Sequence, residues 1–175
     1  MRNILLLSGK INSGKDYAAD ILVKKENWVK VSFASSLKKL ASEKYEIDIK
    51  DLNTQQGKKK LYSSGLTYRD LLIDLARDLK KKDKNIFVKK ALEEIKNTGD
   101  VNIVIPDWRY PHEIEYIYKN LASNINIITA RINRHCSFIV DDPSETSLET
   151  FNFDFVIENN KDEKFLYSKI LEILT

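Results

Sequence analysis

The short apolar run Arg2–Ser8 stops abruptly at Gly9-Lys10-Ile11-Asn12-Ser13-Gly14-Lys15-Asp16, and from Lys15 onward Tyr17, Ala18, Ile21 and Leu22 recur at helical spacing. The apolar run is too short for a helix and reads as a buried strand. Between strand and helix, two glycines let the backbone turn back on itself and aim N–H groups at an anion, and the helix that follows adds its N-terminal dipole. Lys15 supplies a mobile positive charge for the β and γ phosphates of a polyphosphate. A plain strand–helix turn would need the glycines but not the lysine, so position, spacing and charge together favour a phosphate cradle. Asp16 departs from the usual pattern, standing where Ser or Thr normally reaches magnesium. A carboxylate can serve a hard cation directly or through water, but it also adds negative charge beside phosphate.

The rest of the chain repeats the alternation. Further strands are predicted at Trp28–Phe33, Val101–Ile105, Ile125–Ile132 and Phe153–Ile157. Between them lie amphipathic helices: one capped by Ser35, one capped by Thr67 with Leu71, Leu72, Leu75, Ala76 and Leu79 on its stripe, one through Phe87–Ile95, one through Ile114–Leu121, and a closing helix from Phe165. The stretch Ile49–Ser64 reads as irregular and basic. Continuous apolar strands alternating with helices imply a mostly parallel sheet buried on both faces. The predicted fold is therefore an α/β three-layer sandwich, five strands with helices on both faces, in one domain over residues 1–175. A helical region, 34–98, is inserted after the second strand, and the polar segment 133–149 is a loop or lid in which a short helix can start near Ser144.

Composition bounds the partners. With 29 Lys+Arg against 26 Asp+Glu the net charge is +3, which permits anionic small molecules without marking a dedicated nucleic-acid binder. The lysine runs Lys58–Lys60 and Lys80–Lys82 read as solvated faces. One cysteine, Cys136, allows no intrachain disulfide, and no apolar run approaches a membrane span, so a reducing, cytoplasmic setting is expected. Oligomeric state is open between monomer and homodimer.

Three segments add charge suited to phosphate chemistry. Arg69, in the first turn of a helix, gains nothing from the dipole there; it is either aimed at an anion or paired on the surface. Asp107 and Arg109 lie just beyond the third strand, at the sheet edge where ligands of parallel sheets gather. Asp107 can order magnesium or orient an acceptor, and Arg109 can hold a phosphate bidentately. Glu113 is evenly balanced between that role and a helix cap, and His112 is given none. Arg131 and Arg134 flank the polar loop containing Asp141, Asp142 and Glu145, the arrangement of a closing lid or of an ordinary charged loop. Asn160-Lys161-Asp162-Glu163 superficially matches a guanine-reading box, but its last residue is wrong and a cap is the better reading.

Taken in order, these segments resemble the deoxynucleoside monophosphate kinases of viral and phage type, within the P-loop kinases. The resemblance rests on Ser8–Asp16, Ser32-Phe33-Ala34-Ser35-Ser36-Leu37-Lys38, Thr67-Tyr68-Arg69-Asp70-Leu71-Leu72, Ile105–Glu113 and Asp141-Asp142-Pro143-Ser144-Glu145, the last lacking that family's His at Asp142. The animal-type phosphomevalonate kinases share the loop, the Asp-x-Arg segment and an ending similar to Asn152-Phe153-Asp154-Phe155-Val156-Ile157-Glu158-Asn159. The arginine-to-glutamate segment Arg109–Glu113 leans toward the nucleotide enzymes. The resemblance implies ATP-dependent phosphorylation of a deoxynucleoside monophosphate, with ATP and Mg2+ as cofactors and no stable nucleic-acid complex; phosphomevalonate is the alternative acceptor, and a nucleotide-binding regulator without turnover a further one. A viral member would work in host cytoplasm. It further implies ATP contacts from Gly9, Lys10, Asn12, Ser13, Gly14, Lys15, Asp16 and Asn159, and acceptor contacts from Lys38, Arg69, Arg109, Glu113 and Arg131. Catalytic roles fall to Lys15, Asp107, Arg109 and Arg134, and metal placement to Asp16 and Asp107.

Overall fold

A computed structural model describes residues 2–121, 124–134 and 143–174; Cys136, Asp141 and Asp142 lie outside them. The elements run β1 (Arg2–Ser8), α1 (Lys15–Glu26), β2 (Val29–Lys30), α2 (Phe33–Tyr45), α3 (Ile49–Asn53), a 3-10 turn (Gly57–Lys59), α4 (Tyr68–Lys82), α5 (Ile86–Asn97), β3 (Ile103–Ile105), α6 (Pro111–Asn120), β4 (Ile125–Asn133), α7 (Pro143–Thr146), β5 (Phe155–Glu158) and α8 (Glu163–Glu172). They fall into two units, one of Met1–Ser32 with Leu92–Thr175 and the other of Phe33–Ala91, so that the division passes through α5.

Among the described residues of the first unit, five strands form one sheet in the order β2-β3-β1-β4-β5. Every pairing is parallel. Strand β1 is central, and its Ile4, Leu5, Leu6 and Leu7 are fully buried, as a strand covered on both faces must be. On one face Leu5, Leu7, Val104, Ala130 and Ile132 pack with Ala18, Ala19 and Leu22 of α1 and with Leu166 and Ile170 of α8. By strand alternation Ile4, Leu6, Ile103 and Ile105 face the other way, where they too are buried. Each such side chain contributes about 1.5–3 kcal/mol by leaving water. The three-layer α/β expectation holds.

Several boundaries differ from those read in the sequence, each for a local reason. Strand β2 keeps only Val29–Lys30 of the expected Trp28–Phe33, because the chain enters α2 at Phe33, ahead of Ser35. Strand β5 starts at Phe155 rather than Phe153: Phe153 packs edge-on against Trp108 at 5.4 Å, and Asp154 turns inward to accept from the Thr129 amide at 2.8 Å and hydroxyl at 2.6 Å. The segment read as irregular contains α3 and the 3-10 turn. The box at Asn160–Glu163 is indeed a cap, Asp162 accepting from the Phe165 amide at 2.9 Å. At the other edge, Arg2 donates to the carbonyl oxygens of Ile95 (2.8 Å) and Val101 (2.8 Å) and to the Thr98 hydroxyl (2.7 Å), fixing the end of α5 to the start of β1.

The second unit has its own core of Ala41, Ile47, Leu52, Leu71, Leu72 and Leu75. Helix α4 begins as expected at Thr67, with a reciprocal cap: Thr67 accepts from the Asp70 amide at 3.2 Å, and Asp70 accepts from the Thr67 amide at 2.9 Å. These bonds to Thr67 hold the Asp70 carboxyl below its ordinary value. No described helix is long and apolar enough to cross a membrane.

Candidate active site

The loop after β1 takes backbone conformations that few residues reach. Gly9 has φ 144°, Asn12 φ 63° and Gly14 φ 106°. A Cβ on Gly9 would stand 2.2 Å from the Ile132 carbonyl oxygen, and one on Gly14 would stand 2.6 Å from the Asn159 side-chain nitrogen. Both glycines are therefore required by close approach as well as by φ. Inside the turn, Ser13 is buried, and its carbonyl accepts from the Asn159 side-chain amide at 2.9 Å.

Lys15 opens α1 and folds back over the loop. Its ammonium donates to the carbonyl oxygens of Gly9 at 2.6 Å and Lys10 at 2.7 Å. Burial, and next the Arg109 guanidinium, lower its pKa from the ordinary 10.5 to about 8. An anion bound beside it would favour its charged form. Asp16 is largely exposed, and Lys30, at the end of β2, donates to it at 3.3 Å and to Asp20 at 2.8 Å.

The second half of the site follows β3. Trp108 is almost completely buried, its indole N–H donating to the Tyr110 carbonyl at 2.9 Å. Its ring meets Phe151 edge-on at 4.8 Å. This anchor sets the backbone between Asp107 and Arg109. Asp107 accepts from the Ser32 hydroxyl at 2.7 Å. Arg109 donates to the Ser144 carbonyl and hydroxyl, both at 3.2 Å, and to the Glu145 carboxylate. Glu113 is buried and accepts from the amides of Arg109 and Tyr110, each at 3.0 Å. Its carboxylate thus caps α6 and fixes the Arg109 backbone.

The segment beginning with α7 lies along the loop. The Ile11 amide donates to Glu145 at 2.8 Å, and Lys10 pairs with Glu149 at 3.4 Å. Arg131, level with Ser8 across the β1–β4 pairing, donates to the Leu148 carbonyl at 3.3 Å and lies over the Phe153 ring at 5.6 Å. Arg134 is exposed just beyond β4. The first unit thus brings together the glycine loop, Lys15, Asp107, Arg109, Arg131 and Asn159. Lys38 and Arg69 belong to the second unit and reach one short stretch of it: Lys38 donates to Asn53 at 3.0 Å and Arg69 to Gln55 at 2.6 Å.

Among the described residues no group of three or more His, Cys, Asp or Glu is placed to hold a metal by itself. Magnesium carried by a nucleotide uses one or two carboxylates, phosphate oxygens and water. The oxygen donors of Asp16 and Asp107 suit that mode.

The model of the phosphomevalonate kinase family matches residues 7–123, more than half of the sequence. The chain belongs to the phosphomevalonate kinase family. The match to phosphomevalonate kinases takes in the glycine loop, Lys15, Asp16, Asp107, Arg109 and Glu113, whereas Arg131, Arg134, Glu145 and Asn159 lie beyond it. No curated protein is a significant sequence match. Among solved structures, TT1252 from Thermus thermophilus superposes with a TM-score of 0.54 at 16% identity, covering 99% of this chain and 96% of the other. A candidate kinase from Chloroflexus aurantiacus gives 0.53 at 9% identity, with 99% of both chains covered. The dephospho-CoA kinase of Campylobacter jejuni gives 0.49 at 13% identity, covering 99% and 96%. The family model is that of phosphomevalonate kinase, not of the deoxynucleotide kinases that the sequence resembles.

Four residues with evident work in this phosphomevalonate kinase relative had no assigned role in the sequence reading. Ser32 is 75 positions from Asp107, and nothing local signals that bond. Lys30 lies within the stretch Trp28–Phe33 expected as a strand, where nothing marks it. Glu145 is one of the acids of the polar loop and ends the segment Asp141-Asp142-Pro143-Ser144-Glu145 that carries part of the resemblance. Trp108 did carry a signal, as a large apolar residue between two charges.

Proposed function

We propose that the protein transfers the γ-phosphoryl group of ATP to a phosphorylated small molecule, with phosphomevalonate as the first acceptor to consider. The observation that carries this reading is the placement of Lys15 and the glycine loop beside Asp107 and Arg109 at one edge of a parallel sheet. Family membership favours phosphomevalonate. A deoxynucleoside monophosphate is the second reading, supported by the Thr67–Leu72 segment and by Arg109–Glu113.

In either case an acceptor phosphate oxygen attacks the γ phosphorus in line, the bond to the β–γ bridging oxygen breaks, and ADP leaves. The attacking oxygen is already anionic at neutral pH, so no covalent enzyme intermediate is needed. Catalysis would come from position and charge compensation. Loop amides from Gly9 to Gly14 cradle the ATP phosphates, with Lys10, Asn12 and Ser13 shaping the turn. Lys15 neutralises charge growing toward the bridging oxygen. Arg109 grips phosphate, its backbone held by Glu113, while Arg131 and Arg134 add positive charge from the β4 end. Lys38 and Arg69 are assigned to the acceptor. Asn159 serves ATP by fixing the loop it binds. Asp16 and Asp107 would hold magnesium, which when bound supplies charge neutralisation on the phosphates.

Coupled ADP release with ATP and magnesium tests this over phosphomevalonate, dTMP, dGMP, dCMP, dAMP and their ribose counterparts. Turnover on phosphomevalonate supports the first reading. Turnover on nucleotides alone moves the assignment to the second. Nucleotide binding with no turnover on any acceptor favours a regulator.

A further inference from the structure

Glu145 places a carboxylate among the groups that a phosphate would need. One oxygen accepts from the Ile11 amide, inside the glycine loop, at 2.8 Å; the other accepts from Arg109. Its side chain is only 8% exposed. Backbone amides of a tight loop and a guanidinium are the donors that bind anions generally, and a carboxylate satisfies them much as two phosphate oxygens would. The contact is not isolated. Ser144 takes two further bonds from Arg109, Glu149 pairs with Lys10, and Leu148 accepts from Arg131. A buried carboxylate without such partners would be costly, so the position is built for the charge. The Ile11 amide and this face of Arg109 cannot serve Glu145 and a phosphate at once.

We propose that Glu145 is an internal competitor for the phosphate cradle, an anion of the chain itself that sets the affinity for polyphosphate. This rests on the reading of the Gly9–Lys15 loop as a phosphate site. A phosphate binds only when Glu145 has left Ile11 and Arg109, so the apparent dissociation constant is the intrinsic one divided by the fraction of molecules in which it has left. Every ligand that needs the cradle is weakened by the same factor, and a ligand that does not need it is unaffected.

Calorimetric titration of the full chain with pyrophosphate, ATP and adenosine tests this. The variants are Glu145→Gln, Glu145→Ala and, as a charge control on α8, Glu172→Gln. Glu145→Gln is expected to tighten pyrophosphate and ATP alike by about tenfold, as for a site competent about one-tenth of the time. Adenosine, and all three ligands with Glu172→Gln, should match wild type. Equal or weaker binding of pyrophosphate by a folded Glu145→Gln overturns the proposal while leaving the cradle standing. Tighter adenosine binding also overturns it, because it would mean general loosening. If pyrophosphate binds neither wild type nor variants, the cradle reading fails and the proposal with it. Thermal unfolding of each variant establishes folding, and Glu145→Gln, which keeps the side-chain shape, decides if the alanine variant does not fold.

Discussion

Asn159 donates from its buried side-chain amide to the carbonyl oxygen of Ser13 at 2.9 Å, joining positions 146 apart. Its own backbone amide donates to the Asn133 carbonyl at 2.7 Å. The residue after β5 thus clamps the turn that carries the loop amides to the end of β4. Replacing it by Ala leaves a carbonyl in the loop without its partner, at a cost of about 1–3 kcal/mol. Asn159→Ala is expected to lower the melting temperature and raise the KM for ATP while changing kcat little, a split that steady-state kinetics reads directly.

Lys15 gives the sharpest catalytic prediction. Lys15→Ala should fold normally, since the ammonium is costly to bury, and should lose about 10^2–10^3 in kcat, as expected when one preorganised charge donor is removed. Full activity in the alanine variant would remove Lys15 from the mechanism.

The lowered pKa of Lys15, about 8, gives two pH effects of known sign. The unfolded chain holds this proton up to about 10.5, so between the two values it binds more protons than the folded chain, and this residue's contribution to stability rises with pH across that window. A bound polyphosphate favours the charged form, so nucleotide binding above pH 8 should be accompanied by proton uptake. Calorimetry in buffers of different ionisation enthalpy measures that uptake; it should be absent in Lys15→Ala.

Ser32 orients Asp107, its hydroxyl donating to the carboxylate at 2.7 Å. Ser32→Ala is expected to raise the magnesium concentration needed for half-maximal rate by about 10–100-fold, the usual effect of losing a hydrogen bond behind a metal-placing carboxylate. The ATP KM at saturating magnesium should stay near wild type. An unchanged magnesium dependence would argue against Asp107 as a metal-placing residue.

Trp108 separates structural from chemical contributions. Trp108→Ala removes a fully packed ring and should cost about 3–5 kcal/mol of stability. Trp108→Phe keeps most of the contact with Phe151 and Phe153 but loses the bond to Tyr110. It should fold well and still show reduced kcat, because the backbone between Asp107 and Arg109 is less fixed.

Residues whose role is set by near neighbours were legible in the sequence. The strand–loop–helix at Arg2–Glu26, the Thr67 cap and the Asp162 cap depend on groups within a few positions, and all appear as read. So did the all-layer plan, because fully apolar strands can only be buried on both faces. Residues whose role depends on the sheet order were not legible. Ser32 meets Asp107 because β2 pairs with β3, and Ile11 meets Glu145 because β4 lies beside β1. The edges of β2 and β5 differ from the sequence expectation for a related reason: Phe33 and Phe153 have strand-like character, but one is taken into a helix and the other by the Trp108 ring. Glu113 illustrates a third case: the sequence left it evenly balanced between acceptor and cap, and the structure shows the cap bonds to Arg109 and Tyr110.

The central position of β1 has a consequence for how the chain is made. Its partners are Ile103–Ile105 and Ile125–Arg131, so β1 has no neighbour in the sheet until roughly a hundred further residues have been made. At ~5–20 residues per second that delay is on the order of ten seconds, during which Ile4–Leu7 remain an unpaired, sticky segment. Nascent chains should therefore depend on chaperone holding of this stretch, whereas the helical unit, built from contacts within Phe33–Ala91, can form while its ribosome is still working.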